Sequence, residues 1–275
     1  MGYLEAILLG VVQGLTEFLP ISSSAHLRIV PALFGWDDPG AAFTAVIQLG
    51  TTLAVVLYFA RDLARIAVAW VRSLTRPELR GTLDARLGWY IGLGTIPIAV
   101  LGLLFKDQVE TGARNLWIVA TALIVAGLIL EVADRIAGHT NRRQLDQLTL
   151  RDGILVGTAQ ALALIPGVSR SGATITAGLF LGMTRQTAAR FSFLLSTPAI
   201  VLSALFEARK IGDGPGAGVG PTLVATVAAF VVGYVAIAWL LRYISNHTFL
   251  PFVIYRVGLG ILLLVLLTTG TLSAT

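Results

Sequence analysis

Apolar runs close to the roughly 20 residues that a helix needs to cross a bilayer recur along the whole chain, with only short polar stretches between them. Six runs reach spanning length: 41–60, 87–105, 115–133, 188–206, 220–241 and 250–267, each bounded by charge, proline or turn residues. With 56% hydrophobic and only 13% charged residues, the chain carries about half the roughly 25% charge of a soluble domain. Its mean hydropathy is +0.82. The pattern predicts an all-α integral membrane protein with six transmembrane helices. The longest polar stretches, 61–86 and 134–152, are loop-sized, so residues 1–275 are expected to form a single membrane domain.

Two further apolar stretches are too short to span. Residues 4–20 end at Pro20 and continue Ile21-Ser22-Ser23-Ser24-Ala25-His26, and residues 153–166 end at Pro166 and continue Gly167-Val168-Ser169-Arg170-Ser171-Gly172-Ala173-Thr174. A short apolar helix broken by proline and then by serine and glycine suits a re-entrant segment, because irregular backbone at membrane depth must be buried in protein or line a cavity. The two stretches match at one constant offset: Gly10 falls on Gly157, Gln13 on Gln160, Leu15 on Leu162, Ser22 on Ser169 and Ser24 on Ser171. This predicts an internal duplication, with repeat one at about 1–135 and repeat two at about 150–270. Three predicted spans separate the copies, and an odd number inverts the second relative to the first. The expected architecture is an inverted repeat with two re-entrant helix-loop-helix segments whose tips converge near the midplane.

The net charge of +5 is accounted for by topology. Arg61, Arg65, Arg72, Arg76, Arg80 and Arg86 crowd one predicted loop and Arg135, Arg142, Arg143 and Arg151 another. Both fall on one side of the six-span arrangement, which the positive-inside rule makes cytoplasmic. The opposite loops hold only Lys106, Arg114, Arg209 and Lys210. No basic stripe with interleaved aromatics points to nucleic acid. The chain has no cysteine, and its three histidines, His26, His139 and His247, are far apart, which argues against thiol chemistry and a multi-histidine zinc site. Its first residues lack the positive n-region expected of a cleavable signal.

The predicted tips hold the polar chemistry. The first brings Gln13, Glu17, Ser22, Ser23, Ser24 and His26; the second brings Ser169, Arg170, Ser171 and Thr174. Ionisable groups at membrane depth mark functional sites by default, and an acid, an imidazole, a guanidinium and several hydroxyls suit phosphoryl transfer. Arg170 can grip phosphate oxygens with a planar fork. Gly167 and Gly172 allow turns that aim backbone N–H groups at an anion, and the helix expected from about 174 offers its positive end. A serine or His26 can act as nucleophile; Glu17 can serve as base or hold a divalent cation. Arg256, inside the last run, is an ionisable group without an assigned role.

At these residues the chain resembles the bacterial undecaprenyl-diphosphate phosphatase family, also called the bacitracin-resistance family. The resemblance rests on Gln13-Gly14-Leu15-Thr16-Glu17 followed by Pro20, Ser22, Ser23 and His26, and on Pro166-Gly167-Val168-Ser169-Arg170-Ser171-Gly172-Ala173-Thr174. It departs from the commonest pattern in having Gln13 in place of a glutamate and Ala25 where glycine is usual. The resemblance implies hydrolysis of the terminal phosphate of undecaprenyl diphosphate, recycling the lipid carrier for peptidoglycan synthesis. It further implies a bacterial plasma-membrane location, a site opening to the extracytoplasmic face and a divalent cation, magnesium or calcium. By matching positions it implies Ser23, Glu17, His26 and Arg170 as catalytic residues, with Glu17 and His26 in acid/base or metal-linked roles and Glu17 the candidate metal ligand. Gln13, Ser22, Ser169, Arg170, Ser171, Gly172 and Thr174 are then the substrate-binding residues. Ser23 is favoured as nucleophile, with His26 the alternative. The inverted repeat equally suits a polyprenyl-lipid transporter or flippase. A second class of membrane lipid phosphatase is disfavoured because Thr176 stands where its pattern requires histidine after Ser169-Arg170.

Overall fold

The computed structural model describes residues 1–37, 40–105, 115–140, 142–207 and 218–274. Eleven helices are present among them. In chain order they are α1 (Tyr3–Phe18), α2 (Ser23–Phe34), α3 (Gly40–Tyr58), α4 (Ala60–Thr75), α5 (Leu83–Leu104), α6 (Leu116–Thr140), α7 (Leu150–Ala161), α8 (Arg170–Phe180), α9 (Arg185–Glu207), α10 (Val219–Tyr243) and α11 (Leu250–Thr268). Five of these, α5, α6, α9, α10 and α11, are long and apolar enough to cross a membrane alone. The sixth predicted span, α3, meets that test together with α4, from which it is bent by 74°. The chain is therefore a multi-pass membrane protein, as its apolar runs predict.

The two short apolar stretches fold as helical hairpins. Helices α1 and α2 have 16 and 12 residues, and α7 and α8 have 12 and 11. At about 1.5 Å per residue, none covers the roughly 30 Å hydrocarbon core. Local chemistry sets their ends. Thr149 and Asp152 form a capping box at the start of α7, satisfying N–H groups that have no partner within the helix. Pro20 and Pro166 lie in the breaks that follow α1 and α7, where proline cannot continue the helix. Ser22 and Ser169 then turn the chain into α2 and α8 with the same left-handed backbone, φ +76° and +73°.

The repeats interlock crosswise. Helix α1 packs on α10 and α7 packs on α5. Since α5 and α10 are the equivalent spans of repeats one and two, each re-entrant helix is gripped by a span of the other repeat. Small residues allow this approach. A Cβ at Gly10 would lie 2.3 Å from the Ala225 carbonyl oxygen, and at its repeat partner Gly157 2.0 Å from the Gly94 carbonyl oxygen.

The stretch 61–86, expected as a loop, instead carries the 16-residue helix α4. Its charges are partly ion-paired: Arg65 lies 2.7 Å from Asp84, and Asp62 lies 2.5 Å from Arg190 of α9. High charge content masked a helical pattern in which Ile66, Trp70 and Ser73 turn to one side and Val68 and Val71 to another. The expected start of the helix after the second tip also shifts, from about 174 to Arg170, because Ser169 caps it by accepting the Gly172 N–H at 3.1 Å. The two arginine-rich stretches do share one side, since Arg86 donates to the Asp146 and Leu148 carbonyls. Lys106, Arg114, Arg209 and Lys210, the sparse charges expected opposite, lie outside the described residues.

Candidate active site

The tips of the two hairpins meet, and three independent links join them. Arg170 Nη2 donates to Glu17 Oε1 at 2.6 Å. Ser171 Oγ donates to the Leu19 carbonyl at 3.1 Å. Arg256 of α11, fully buried, donates Nη1 to the Pro20 carbonyl at 3.0 Å and Nη2 to the Gly167 and Val168 carbonyls at 2.9 Å each. Breaking a helix with proline strands carbonyls at membrane depth, where each orphan costs free energy. One guanidinium satisfies three of them at once.

A cavity of about 210 Å³ lies at this junction. Of the residues singled out in the sequence, Gln13, Glu17, Ser22, Ser23, Ser24, Ser169 and Arg170 line it. Ser23 Oγ donates to Glu17 Oε2 at 2.6 Å. Gln13 Nε2 donates to the same carboxylate oxygen at 3.1 Å and to Thr51 Oγ1 at 3.3 Å. Arg170 Nη1 reaches the Ser196 carbonyl at 3.3 Å. The Glu17 carboxylate thus holds the serine through one oxygen and the arginine through the other. The N-termini of α2 and α8 begin at Ser23 and Arg170, so two positive helix ends converge on the cavity. Two guanidinium groups against one carboxylate leave this cluster with a net positive charge, which suits a phosphate anion.

Other expected site residues stand behind the cavity. Ser171 shares a 3.1 Å hydrogen bond with Ser169 while fastening Leu19. Thr174 donates to the Arg170 carbonyl at 2.8 Å and is 2.6 Å from Ser192 of α9, so it anchors the second tip. Gly172 leaves room for Arg256, whose guanidinium would be 2.8 Å from an added Cβ. His26 is buried, with Nδ1 2.7 Å from the Ser22 carbonyl and Nε2 2.7 Å from the Tyr255 hydroxyl.

Sequence reasoning missed Thr44, Gln48 and Ser203, which also line the cavity, and Thr51, Ser196 and Tyr255. Lone polar residues in spanning helices are common, and only the closeness of Gln48, Thr51 and Thr52 inside α3 offered a hint. Thr44 and Gln48 precede Thr51 along α3, and Ser203 follows Ser196 along α9. All three lie on the halves of those helices remote from the arginine-rich loops. On the near side, Phe18, Phe59 and Phe193 form a buried aromatic layer with ring centres 5.7 and 6.2 Å apart.

Comparison with known proteins bears on this constellation. The family described as bacitracin resistance protein BacA matches residues 6–262. This chain belongs to that family. Its curated relatives match end to end. An undecaprenyl-diphosphatase of a Nocardioides species is 57% identical over 273 residues, covering 99% of both chains. Undecaprenyl-diphosphatase 3 of Frankia alni is 57% identical over 290 residues, covering 100% of this chain and 98% of the relative. A Mycobacterium undecaprenyl-diphosphatase is 55% identical over 278 residues, covering both chains completely. The family resemblance carried by the two motifs therefore extends through every helix.

The family's expected divalent cation can be tested against the donors. No group of three or more His, Cys, Asp or Glu side chains that could hold a metal ion forms among the described residues. Glu17 supplies one carboxylate, and Gln13 uses its amide nitrogen on Glu17 and Thr51, leaving its carbonyl oxygen as a second hard donor. One carboxylate plus phosphate oxygens and water is a donor set that suits magnesium, while calcium would need further oxygens, so the residues fit a cation bound jointly with a diphosphate.

Proposed function

We propose that this protein hydrolyses undecaprenyl diphosphate to undecaprenyl phosphate and inorganic phosphate, recycling the lipid carrier used in peptidoglycan synthesis. The observation that carries the chemistry is the Ser23–Glu17–Arg170 chain. A hydroxyl donating to a carboxylate at 2.6 Å is a nucleophile next to its base, and the carboxylate is oriented by a guanidinium at 2.6 Å.

In this reading Glu17 takes the proton as Ser23 Oγ attacks the terminal phosphorus. The bond from that phosphorus to the bridging oxygen breaks, and undecaprenyl phosphate leaves with the electron pair. The proton on Glu17 passes to the departing undecaprenyl phosphate, which frees the carboxylate to deprotonate a water that attacks the phosphoserine; the serine–phosphorus bond breaks, inorganic phosphate leaves, and Ser23 Oγ takes the proton back from Glu17. Arg170, the α2 and α8 N-termini and the Ser169 hydroxyl offset the charge of the phosphoryl oxygens, and Gln48 offers an amide to the phosphate that stays on the lipid. A magnesium or calcium ion held by Glu17 and the Gln13 carbonyl would neutralise diphosphate charge.

The cavity-lining positions on α3 and α9 support an opening away from the arginine-rich face. With that face cytoplasmic, the diphosphate headgroup is taken from the outer leaflet of the bacterial plasma membrane. The rival transporter reading rests on the repeat plan alone, which an enzyme shares; the full-length relatives are named as diphosphatases.

The test is phosphate release from a long-chain polyprenyl diphosphate in detergent, with and without chelator, for wild type, Ser23→Ala and Arg170→Ala. The reading expects release by wild type and none by either variant. A folded wild type that releases no phosphate overturns it; chelator-insensitive release removes the cation alone.

A further inference from the structure

His26 is a natural candidate for the proton-transfer group of a phosphatase, but its surroundings give it another task. The Ser22 carbonyl, 2.7 Å from Nδ1, can only accept a hydrogen bond, so Nδ1 carries a proton. Nε2 meets the Tyr255 hydroxyl at 2.7 Å, which donates to it when the ring is neutral. The rings are nearly parallel, 10° apart, with centres 5.5 Å apart. Both ring nitrogens are thereby engaged. Neither His26 nor Tyr255 lines the cavity, and the Ser23 proton already points at Glu17.

The carbonyl that His26 grips belongs to the peptide unit joining Ser22 to Ser23. Ser22 is held at φ +76°, a conformation that is strained for a non-glycine residue and persists only where its surroundings over-determine it. Repeat two provides an internal comparison. Its equivalent turn, at Ser169, reaches φ +73° with Ala173 where His26 would fall. The turn itself therefore forms without a histidine. The extra clamp occurs only beside the serine that faces the carboxylate.

We propose that Tyr255 and His26 are positioning residues, a relay from the Tyr255 hydroxyl through His26 to the Ser22 carbonyl that fixes the peptide carrying Ser23, and that His26 transfers no proton in turnover. The proposal rests on the reading of Ser23 as nucleophile and Glu17 as its base. It assigns Tyr255 a role in the reaction, and makes the donor at the Nδ1 position, rather than imidazole titration, what the site requires of residue 26.

The experiment compares His26→Asn, His26→Ala and Tyr255→Phe with wild type in the detergent phosphate-release assay, recording kcat, KM and the pH profile, with folding checked by thermal melting. Asparagine keeps an N–H donor near the Nδ1 position but cannot titrate. His26→Asn is expected to lose no more than about ten-fold in kcat and to keep the wild-type pH profile, whereas His26→Ala loses about 100-fold, as a misplaced nucleophile does. Tyr255→Phe is expected to lose about ten-fold in kcat, the scale of one hydrogen bond, with KM unchanged. The proposal is overturned if folded His26→Asn is as inactive as His26→Ala, or if its pH profile loses a limb present in wild type. Should His26→Asn fail to fold, Tyr255→Phe decides, and an unchanged kcat overturns the relay. Ser23→Ala in the same assay separates the two levels: its turnover would remove the nucleophile reading itself, while an inactive Ser23→Ala beside an inactive His26→Asn removes only the relay.

Discussion

Glu17 and Arg170, 153 positions apart in sequence, lie 2.6 Å from each other across the meeting point of two helices that each end inside the protein. Their pairing joins the base of the proposed reaction to its phosphate-binding group. Arg170 also reaches the Ser196 carbonyl, a fork geometry that an ammonium cannot reproduce. Arg170→Lys should therefore lower kcat by about 100-fold or more, the scale of removing one transition-state donor. Glu17→Gln should lose about 10²–10⁴-fold, the scale of general-base catalysis. Phosphate release from polyprenyl diphosphate measures both, and near-wild-type kcat in either would sink the assigned role.

Arg256 holds three tip carbonyls. Arg256→Met keeps an apolar stem but abandons those acceptors, each buried orphan costing about 1–3 kcal/mol. The variant is expected to melt at lower temperature in detergent and to lose phosphatase activity with it. Melting unchanged from wild type would show that the tips are satisfied in some other way.

Gly157 faces the backbone of α5, with the Gly94 carbonyl oxygen 2.0 Å from an added Cβ. Backbone cannot step aside cheaply, so Gly157→Ala should destabilise by about 1–3 kcal/mol, the usual cost of overpacking. Gly258 has open space around its Cβ position, so Gly258→Ala should be neutral or mildly stabilising through helix propensity. Thermal melting of the two variants checks the contrast, and equal effects would contradict the crosswise packing.

Asp152, at the loop end of α7, is a pH-sensitive fastening outside the spanning helices. Burial pushes its carboxyl up, but hydrogen bonds from Arg143 and Thr149 outweigh burial and hold it below the ordinary carboxylate value. A depressed carboxylate contributes stability that is present in full above its unfolded-state pKa and lost as pH falls through the folded one. Stability should be flat in this contribution near neutrality and decline below the ordinary carboxylate value. Asp152→Asn should be less stable at pH 7 and show a shallower acid decline; an identical acid profile would exclude the pair as its source.

Because the chain has no cysteine, a single thiol can report sidedness. Thr44→Cys lines the cavity on the half of α3 remote from the arginine-rich loops. It should react with a membrane-impermeant thiol reagent added outside intact cells, and less so in the presence of a polyprenyl diphosphate. Labelling only from inverted vesicles would reverse the proposed orientation.

The class of protein, the spanning runs, the internal duplication and most of the polar inventory of the site were legible in the sequence, because each is a local signal. Apolar length, a proline that stops a helix and a repeated serine motif need no knowledge of what lies opposite. Helix α4 was hidden because its arginines suggested a solvated loop, and a helix lying at an angle to its neighbour keeps charge that a spanning helix cannot. Which residues face one another was decided only by tertiary structure. The rotation of each helix is fixed by packing against a span of the other repeat, as Gly10 and Gly157 are by Ala225 and Gly94. That rotation aims Ser23 at Glu17, turns His26 toward Tyr255 and sends Thr174 to Ser192. It also brings Arg256 to carbonyls 88, 89 and 236 positions away. Pairings over such separations depend on how helices dock, and docking leaves almost no mark on the local pattern of residues.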